Sequence, residues 1–220
     1  MSQHNFGLNQ FACGANVACT TVSLRVCKWL LLHSDLKIPD ETALSQELLK
    51  SYKEWINLVQ KGVTRSCESA ARVFKLIQKS MFGVKIAAEY YGYVTVNTSD
   101  DDLEEMKERT VCSLHAAISE AWNAAVERND NKVAVCLTMG ARSMSILLRA
   151  KERAVLVDSH GNGTGETAFM ATFYSYLDLI HYLADGNESA ELKQNKAGDL
   201  VIPHGYDLTV FVLENDIPRF

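Results

Sequence analysis

The sequence lacks the features that mark several common protein classes. Only 3 of its 220 residues are proline, and neither a Gly/Ser-rich linker nor an internal repeat interrupts it. We therefore expect one domain over residues 1–220. No apolar run approaches the ~18 residues of a membrane-spanning helix. The first ten residues lack the basic and apolar segments of a secretory signal. These absences predict a protein without a membrane partner that acts in the cytoplasm.

Charge and cysteine spacing exclude further classes. The formal net charge is -5, which disfavours a nucleic-acid partner. None of the six cysteines forms a CxxC pair, so no zinc finger is predicted and the thiols fit a reducing compartment. The glycines at 161, 163 and 165 are not followed by the Lys-Ser/Thr of a phosphate-binding loop. We predict neither a metal nor a cofactor, and we expect a monomer.

The pattern of apolar residues predicts an α+β fold, in which helices come first and antiparallel strands follow. The first two helices have clear apolar stripes, and Pro39-Asp40-Glu41 opens the second of them. Polar residues 1–18 and 185–199 are predicted to be loops. The predicted helices are 19–33, a second one from residue 40, 66–80, 101–127 and 168–184; the predicted strands are 84–96, 132–138, 143–149, 153–158 and 207–213.

Cys19 stands where the first loop is predicted to end and the first helix to begin. Free N–H groups and the positive end of the dipole at a helix start favour a thiolate. The same N–H groups can bind an oxyanion, and the small neighbours Ala18 and Thr20 leave room for a substrate carbonyl. A lone cysteine at such a position is more often a small buried residue, so Cys19 needs a partner to count as a nucleophile.

Asp158 and His160 supply that partner at the end of a predicted apolar strand. Residues two apart in a strand point the same way, and a carboxylate beside an imidazole fixes its tautomer and stabilises the imidazolium. A cysteine at a helix start followed by a histidine on a distant strand is the chain order of papain-like enzymes. The sequence therefore predicts a cysteine peptidase with Cys19 as nucleophile, His160 as base and Asp158 as orienting acid. Cys13, in the loop, is the rival nucleophile.

Two segments resemble the herpesvirus tegument deubiquitinase family. The first is NFGLNQFACGANVACTTVSL at 5–24, where Phe11 stands eight residues before Cys19 as the family's phenylalanine does. The second is VLVDSHGNGTGETAFMATFYSYLDLIHYL at 155–183, which resembles the family's strand ending in Asp-x-His, Gly/Ser turn, short strand and helix. The resemblance implies a papain-like fold and assigns the family's triad to Cys19, His160 and Asp158.

The loop before Cys19 departs from the family. Relatives carry a glutamine about thirteen residues before the nucleophile, whose amide helps to bind the oxyanion, but Phe6 stands there. Asn5, Gln3 and Gln10 are nearby amides that can donate in its place. Asn5 is the predicted oxyanion donor.

The resemblance implies a deubiquitinase that hydrolyses the bond after the C-terminal glycine of ubiquitin, with ubiquitin or polyubiquitin as partner and, for a viral or bacterial factor, the host cytosol as its place of action. Acidic residues in the segment 100–105 are a candidate contact for ubiquitin's basic tail, although a solvated helix start is the favoured explanation for them. The alternatives are a protease for another ubiquitin-like modifier and a non-catalytic ubiquitin-binding module.

Overall fold

The described part of the chain combines five helices with a seven-stranded sheet and a separate two-stranded sheet of β7 and β8. The computed structural model describes residues 1–8, 10, 13, 18–33, 40–62, 69–92, 102–126, 131–139, 142–149, 153–160, 167–186, 193–194, 200–201 and 206–214. The helices are α1 (Cys19–His33), α2 (Glu41–Gln60), α3 (Ala70–Leu76), α4 (Asp102–Val126) and α5 (Tyr176–Gly186). The strands are β1 (Ser2–Asn5), β2 (Val84–Gly92), β3 (Lys132–Met139), β4 (Arg142–Arg149), β5 (Arg153–Asp158), β6 (Phe169–Phe173), β7 (Lys193–Gln194), β8 (Leu200–Val201) and β9 (Tyr206–Leu213).

Seven of the strands form an antiparallel sheet in the order β1-β6-β5-β4-β3-β9-β2. The central strand β4 pairs with β3 on one side and β5 on the other, and almost all of its residues are buried. Strands buried on both faces read as continuous apolar runs, which is why β3, β4 and β5 were recognisable in the sequence.

Helices cover both faces of the sheet, and alternate residues of each strand belong to different cores. In β3, Val133, Val135 and Leu137 pack with α4 and α5. Ala134 and Cys136 point the other way, into a core formed with α1 and α3. A third core joins α1 and α2 to β4, β5 and β6. The fold is therefore a mixed arrangement of helices and antiparallel sheet in which α1 lies between α2 and the sheet.

The apolar stripes predicted for α1 and α2 are confirmed, because they meet in one core. Asp40 caps α2 as expected, with Oδ1 accepting hydrogen bonds from the N–H groups of Thr42 and Ala43 at 2.9 and 3.1 Å. The stripe residues are Val22, Val26, Trp29 and Leu30 in α1, and Leu44, Leu48, Tyr52, Trp55 and Val59 in α2.

Two predictions at the edge of the sheet are wrong. The segment from Ala168 was assigned to a helix, but Phe169–Phe173 is strand β6, and the helix begins at Tyr176. Phe169, Ala171 and Phe173 enter one core while Met170 enters another, which is the alternation of a strand. Residues 1–18 were read as a loop, yet Ser2–Asn5 pairs with β6. Its polar side chains give no apolar alternation because it is an exposed edge strand.

Other boundaries differ by less. The third predicted helix is confirmed only over Ala70–Leu76, and its expected start at 66–68 lies outside the described residues. None of the helices in the described ranges is long and apolar enough to cross a membrane. Of the acidic cluster at 100–105, residues 102–105 lie in the first turn of α4, where side-chain positions are not described, and residues 100 and 101 lie outside the described part of the chain.

Polar contacts as well as apolar ones join α1 to α2. Arg25 donates to Oε1 of Glu47 at 2.6 and 2.9 Å and to Oε2 of Glu54 at 2.9 Å. Glu47 is 8% exposed. Lys28 adds a bond to the carbonyl of Ser80 at 2.7 Å, and the Ser80 hydroxyl donates to Glu54. The side of α1 that faces α2 is thus tied by charge-assisted hydrogen bonds.

Glu47→Ala should lower the free energy of unfolding by about 2 kcal/mol, because it leaves the partly buried Arg25 with one carboxylate partner. Urea denaturation followed by circular dichroism measures the change. Lys53→Ala, an exposed position on the same helix, is the control and should change stability by no more than about 0.5 kcal/mol. Equal losses in the two variants would show that the Arg25 pair does not stabilise the helix layer.

Candidate active site

Cys19 is the first residue of α1. The residue before it, Ala18, has no side-chain group that could cap the helix. The carbonyl of Ala18 accepts the first helical hydrogen bond, from Val22 at 2.9 Å, so Ala18 occupies the N-cap position. Its methyl group cannot accept hydrogen bonds from the first turn, unlike the Asp40 carboxylate of α2. The start of α1 therefore presents its N–H groups and the positive end of its dipole beside the Cys19 thiol.

Asp158 and His160 lie at the end of β5, as predicted. Asp158 Oδ1 is 2.8 Å from Nδ1 of the His160 ring and accepts a second bond, also of 2.8 Å, from the His160 backbone N–H. Asp158 is 2% exposed and His160 7% exposed. Two bonds to one carboxylate oxygen fix both the backbone turn and the ring, so the orientation of the imidazole is set locally.

The side chain of Cys19, at the start of α1, contacts the imidazole of His160. The two side chains form a hydrogen bond that raises the pKa of His160. Because Nδ1 is bound to Asp158, Nε2 is the ring nitrogen left for the thiol. The structure thus brings the three predicted residues into one chain of contacts, from a helix start through an imidazole to a buried carboxylate.

The pKa of His160 is raised to about 9. Burial alone lowers it, but hydrogen bonds to Asp158 and Cys19, together with the negative charge on both, outweigh the burial. The imidazole is consequently protonated at neutral pH. A protonated imidazole between a thiolate and a carboxylate is the charge arrangement of an activated cysteine nucleophile.

Gln10 lies beside this pair, and Asn5 does not. Gln10 is 1% exposed; its backbone N–H donates to the Ser159 carbonyl at 3.2 Å, and its side-chain oxygen accepts from the Ser159 hydroxyl at 3.0 Å. Asn5 is exposed in β1, where its Oδ1 accepts a bond from Gln3 at 3.1 Å. Phe6 packs against the core between α1, α2 and the sheet. Of the candidate amides, Gln10 is the one that contacts the Asp158–His160 turn.

The rival nucleophile, Cys13, is also among the described residues. It is partly buried and packs against the core that contains Tyr52. Tyr52 is 1% exposed, and no described residue bonds to its hydroxyl. Burial raises the pKa of Tyr52, and the nearby charges of Cys13 and Asp158 raise it further. No contact of Cys13 with a histidine appears among the described residues, in contrast to Cys19.

In the described ranges, no group of three or more His, Cys, Asp or Glu side chains is arranged so that it could hold a metal ion. The remaining histidines have other surroundings: His4 pairs with Glu41 at 2.9 Å, and His33 bonds to the Trp29 carbonyl. His115 and His181 are exposed on helices. Residues 161–166, which contain the three glycines after His160, and His204 lie outside the described part of the chain.

Comparison with known proteins gives a likeness in structure only. No protein-family model matches the chain, and no curated protein sequence matches it. Among solved structures, it is similar to the ubiquitin-specific protease encoded by a murine cytomegalovirus tegument protein, determined in complex with a ubiquitin-based suicide substrate. The TM-score is 0.56 over 100% of this chain and 90% of the other, with 11% of residues identical. At this identity the likeness concerns the fold.

His160 should titrate near pH 9 in the folded protein, and both Asp158→Asn and Cys19→Ala should lower its pKa, because each removes a negative partner. NMR titration of the ring resonances measures this. A raised folded pKa stabilises the fold fully below the unfolded value of about 6.5, and that stability is lost as the pH rises through about 9. A pKa near 6.5 in the wild type would contradict the assignment.

Proposed function

We propose that the chain is a cysteine peptidase of papain-like fold that hydrolyses the bond after the C-terminal glycine of ubiquitin. The observation that carries the proposal is the hydrogen bond between Cys19, at the start of α1, and His160, whose pKa is raised and whose ring Asp158 orients. This is the arrangement that turns a buried thiol into a nucleophile. The proposal of peptidase activity rests on this geometry, and the proposal of ubiquitin as the substrate rests on the likeness of fold.

The proposed reaction begins with a Cys19 thiolate and a His160 imidazolium. The thiolate attacks the carbonyl of the terminal glycine, and negative charge develops on the carbonyl oxygen. His160 then protonates the leaving lysine amine, which breaks the amide bond and leaves a thioester on Cys19. A water molecule that loses its proton to His160 hydrolyses the thioester and restores the thiolate.

Two groups are proposed to bind the oxyanion. The first is the N–H of Cys19 at the start of α1, where backbone N–H groups and the positive end of the helix dipole meet. The second is the amide of Gln10, which replaces the sequence-predicted Asn5 in the proposal because Gln10 is buried beside Ser159 while Asn5 is exposed. An amide with its oxygen already bound presents its N–H groups in a fixed direction.

Ubiquitin is proposed as substrate for two reasons. The solved structure that the fold resembles is a ubiquitin-specific protease bound to a ubiquitin-based suicide substrate. The formal net charge of -5 also suits the basic C-terminal tail of ubiquitin, since opposite net charges speed association.

A ubiquitin probe with a C-terminal electrophile should label the wild-type protein, and Cys19→Ala should abolish labelling because the attacking sulfur is gone. Mass spectrometry of the adduct locates the modified residue. Cys13→Ala is the matched control and should label at the wild-type rate. If the folded wild type is not labelled, the peptidase proposal fails; labelling by the same electrophile on another modifier, but not on ubiquitin, would change the substrate.

Gln10→Ala should lower kcat about 100-fold with little change in KM, since an oxyanion donor acts mainly in the transition state. Asn5→Ala should change kcat less than about twofold. Steady-state hydrolysis of a fluorogenic ubiquitin amide measures both, and thermal unfolding checks that each variant is folded. A larger loss of kcat in Asn5→Ala than in Gln10→Ala would return the role to Asn5.

A further inference from the structure

One face of α1 carries a polar stripe that meets the sheet. Thr20, Ser23 and Cys27 lie at helical spacing on that face, and Ser143 and Ser145 lie two apart on β4. All five are buried: Thr20 and Ser23 are 2% exposed, Ser145 1%, and Ser143 and Cys27 0%. Buried hydroxyls are costly unless they are bonded, so the partners of this stripe decide what it does.

Two of its bonds run in opposite directions across the interface. The Ser23 hydroxyl donates to the carbonyl of Ser143 at 2.9 Å, and the Ser145 hydroxyl donates to the carbonyl of Ser23 at 2.9 Å. One turn further along, the Cys27 thiol is hydrogen-bonded to Ser145. Because each hydrogen bond is directional, the reciprocal pair fixes the position of α1 along its own axis against β4.

Ser143 holds the turn that contains Cys19. Its hydroxyl is 3.0 Å from the hydroxyl of Thr20, the residue after Cys19, and 2.9 Å from that of Thr138 on β3. The first turn of α1 is thereby bonded to β4 directly and to β3 through Ser143. Apolar contacts of Val22 and Val26 with the same sheet are not directional and do not by themselves exclude a slide of the helix.

The partner of the nucleophile belongs to the same pair of strands. β4 pairs with β5 so that Ser145 is opposite Val157, the residue before Asp158, and His160 comes two residues after Asp158. One strand of the pair is therefore bonded to α1, and the other ends at Asp158, two residues before the imidazole. The distance between the sulfur and the imidazole depends on the bonds that join α1 to β4.

We propose that Ser143 is a positioning residue: through its bond to Thr20 it sets the contact between Cys19 and His160. The proposal rests on the proposed function for its effect on turnover, but not for its effect on the imidazole. The Cys19 bond is among the causes that raise the pKa of His160, so any displacement of Cys19 is visible in that titration.

Removing either hydroxyl of the Thr20–Ser143 pair should move this pKa. In Ser143→Ala and in the isosteric Thr20→Val, the pKa of His160 measured by NMR should fall from about 9 toward the value in Cys19→Ala. With a ubiquitin substrate, kcat should fall about tenfold, with KM within about twofold, because misplaced reacting groups slow the chemical step more than binding. The double variant should be no worse than the poorer single variant.

Ser51→Ala is the matched control. Ser51 is 0% exposed and its hydroxyl bonds within α2, to the Glu47 carbonyl, so its loss should lower stability without moving the His160 pKa. Thr20→Ser keeps the hydroxyl and should keep the pKa near 9. If Ser143→Ala fails to fold, Thr20→Val tests the same bond from the helix side.

The outcomes separate this proposal from the proposed function. An unchanged His160 pKa in folded Ser143→Ala or Thr20→Val, with a loss of stability like that of Ser51→Ala, would reduce the bond to a structural one and overturn the positioning role. A shifted pKa supports the role even where ubiquitin is not hydrolysed, since the titration needs no substrate.

Discussion

A protonated imidazole and a carboxylate are held together at the end of β5, where solvent hardly reaches either group. Burying two charges is costly unless each is bonded to the other and the geometry is fixed. Here the Asp158 oxygen is bonded twice by a single residue, His160, once from the ring and once from the backbone. The pairing of β5 with β4 and β6 holds the strand end in place, and the start of α1 brings the Cys19 thiol against His160.

Helix α1, which carries Cys19, has two different polar faces. Toward α2, the guanidinium of Arg25 is bonded to the carboxylates of Glu47 and Glu54. Toward the sheet, α1 uses neutral hydroxyls and a thiol. Charged groups tolerate small movements because their attraction falls slowly with distance, whereas neutral hydroxyls need short, aligned contacts. The contacts that require short, aligned geometry therefore lie on the face of α1 that packs on the sheet, and this face sets the position of Cys19 relative to His160.

Local patterns were enough to predict the parts of the site that depend on neighbours in sequence. The start of α1 follows from its apolar stripe, and the Asp158–His160 bond follows from their spacing of two residues at a strand end. Contacts between distant segments leave no such pattern. Gln10 and Ser159 are 149 residues apart, and Thr20 and Ser143 are 123 apart. The spacing of Thr20, Ser23 and Cys27 was visible in the sequence, but only the opposing Ser143 and Ser145 give it meaning.

The edge of the sheet was misread for a related reason. β1 is polar because an edge strand needs few apolar residues, and β6 was joined to the helix after it because aromatic residues continue from Phe173 through Tyr174 to Tyr176, where that helix begins. Pairing between β1 and β6 decides that both segments are strands. After β1 the chain continues past Leu8, which is bonded to Ala168, to Gln10, which is bonded to Ser159.

The course of the chain from β1 to Gln10 also bears on Phe6, where the sequence departs from the family that it resembles. A donor to an oxyanion must occupy a place in space, not a count along the chain. Phe6 stands at the position of the glutamine in the family that this sequence resembles, and here Phe6 packs against the core between α1, α2 and the sheet. The amide beside the Asp158–His160 turn comes instead from Gln10, four positions later, held by the backbone and hydroxyl of Ser159. An amide can thus lie beside the Asp158–His160 turn without the spacing of the family that the sequence resembles, because Ser159 at the end of β5 holds it there.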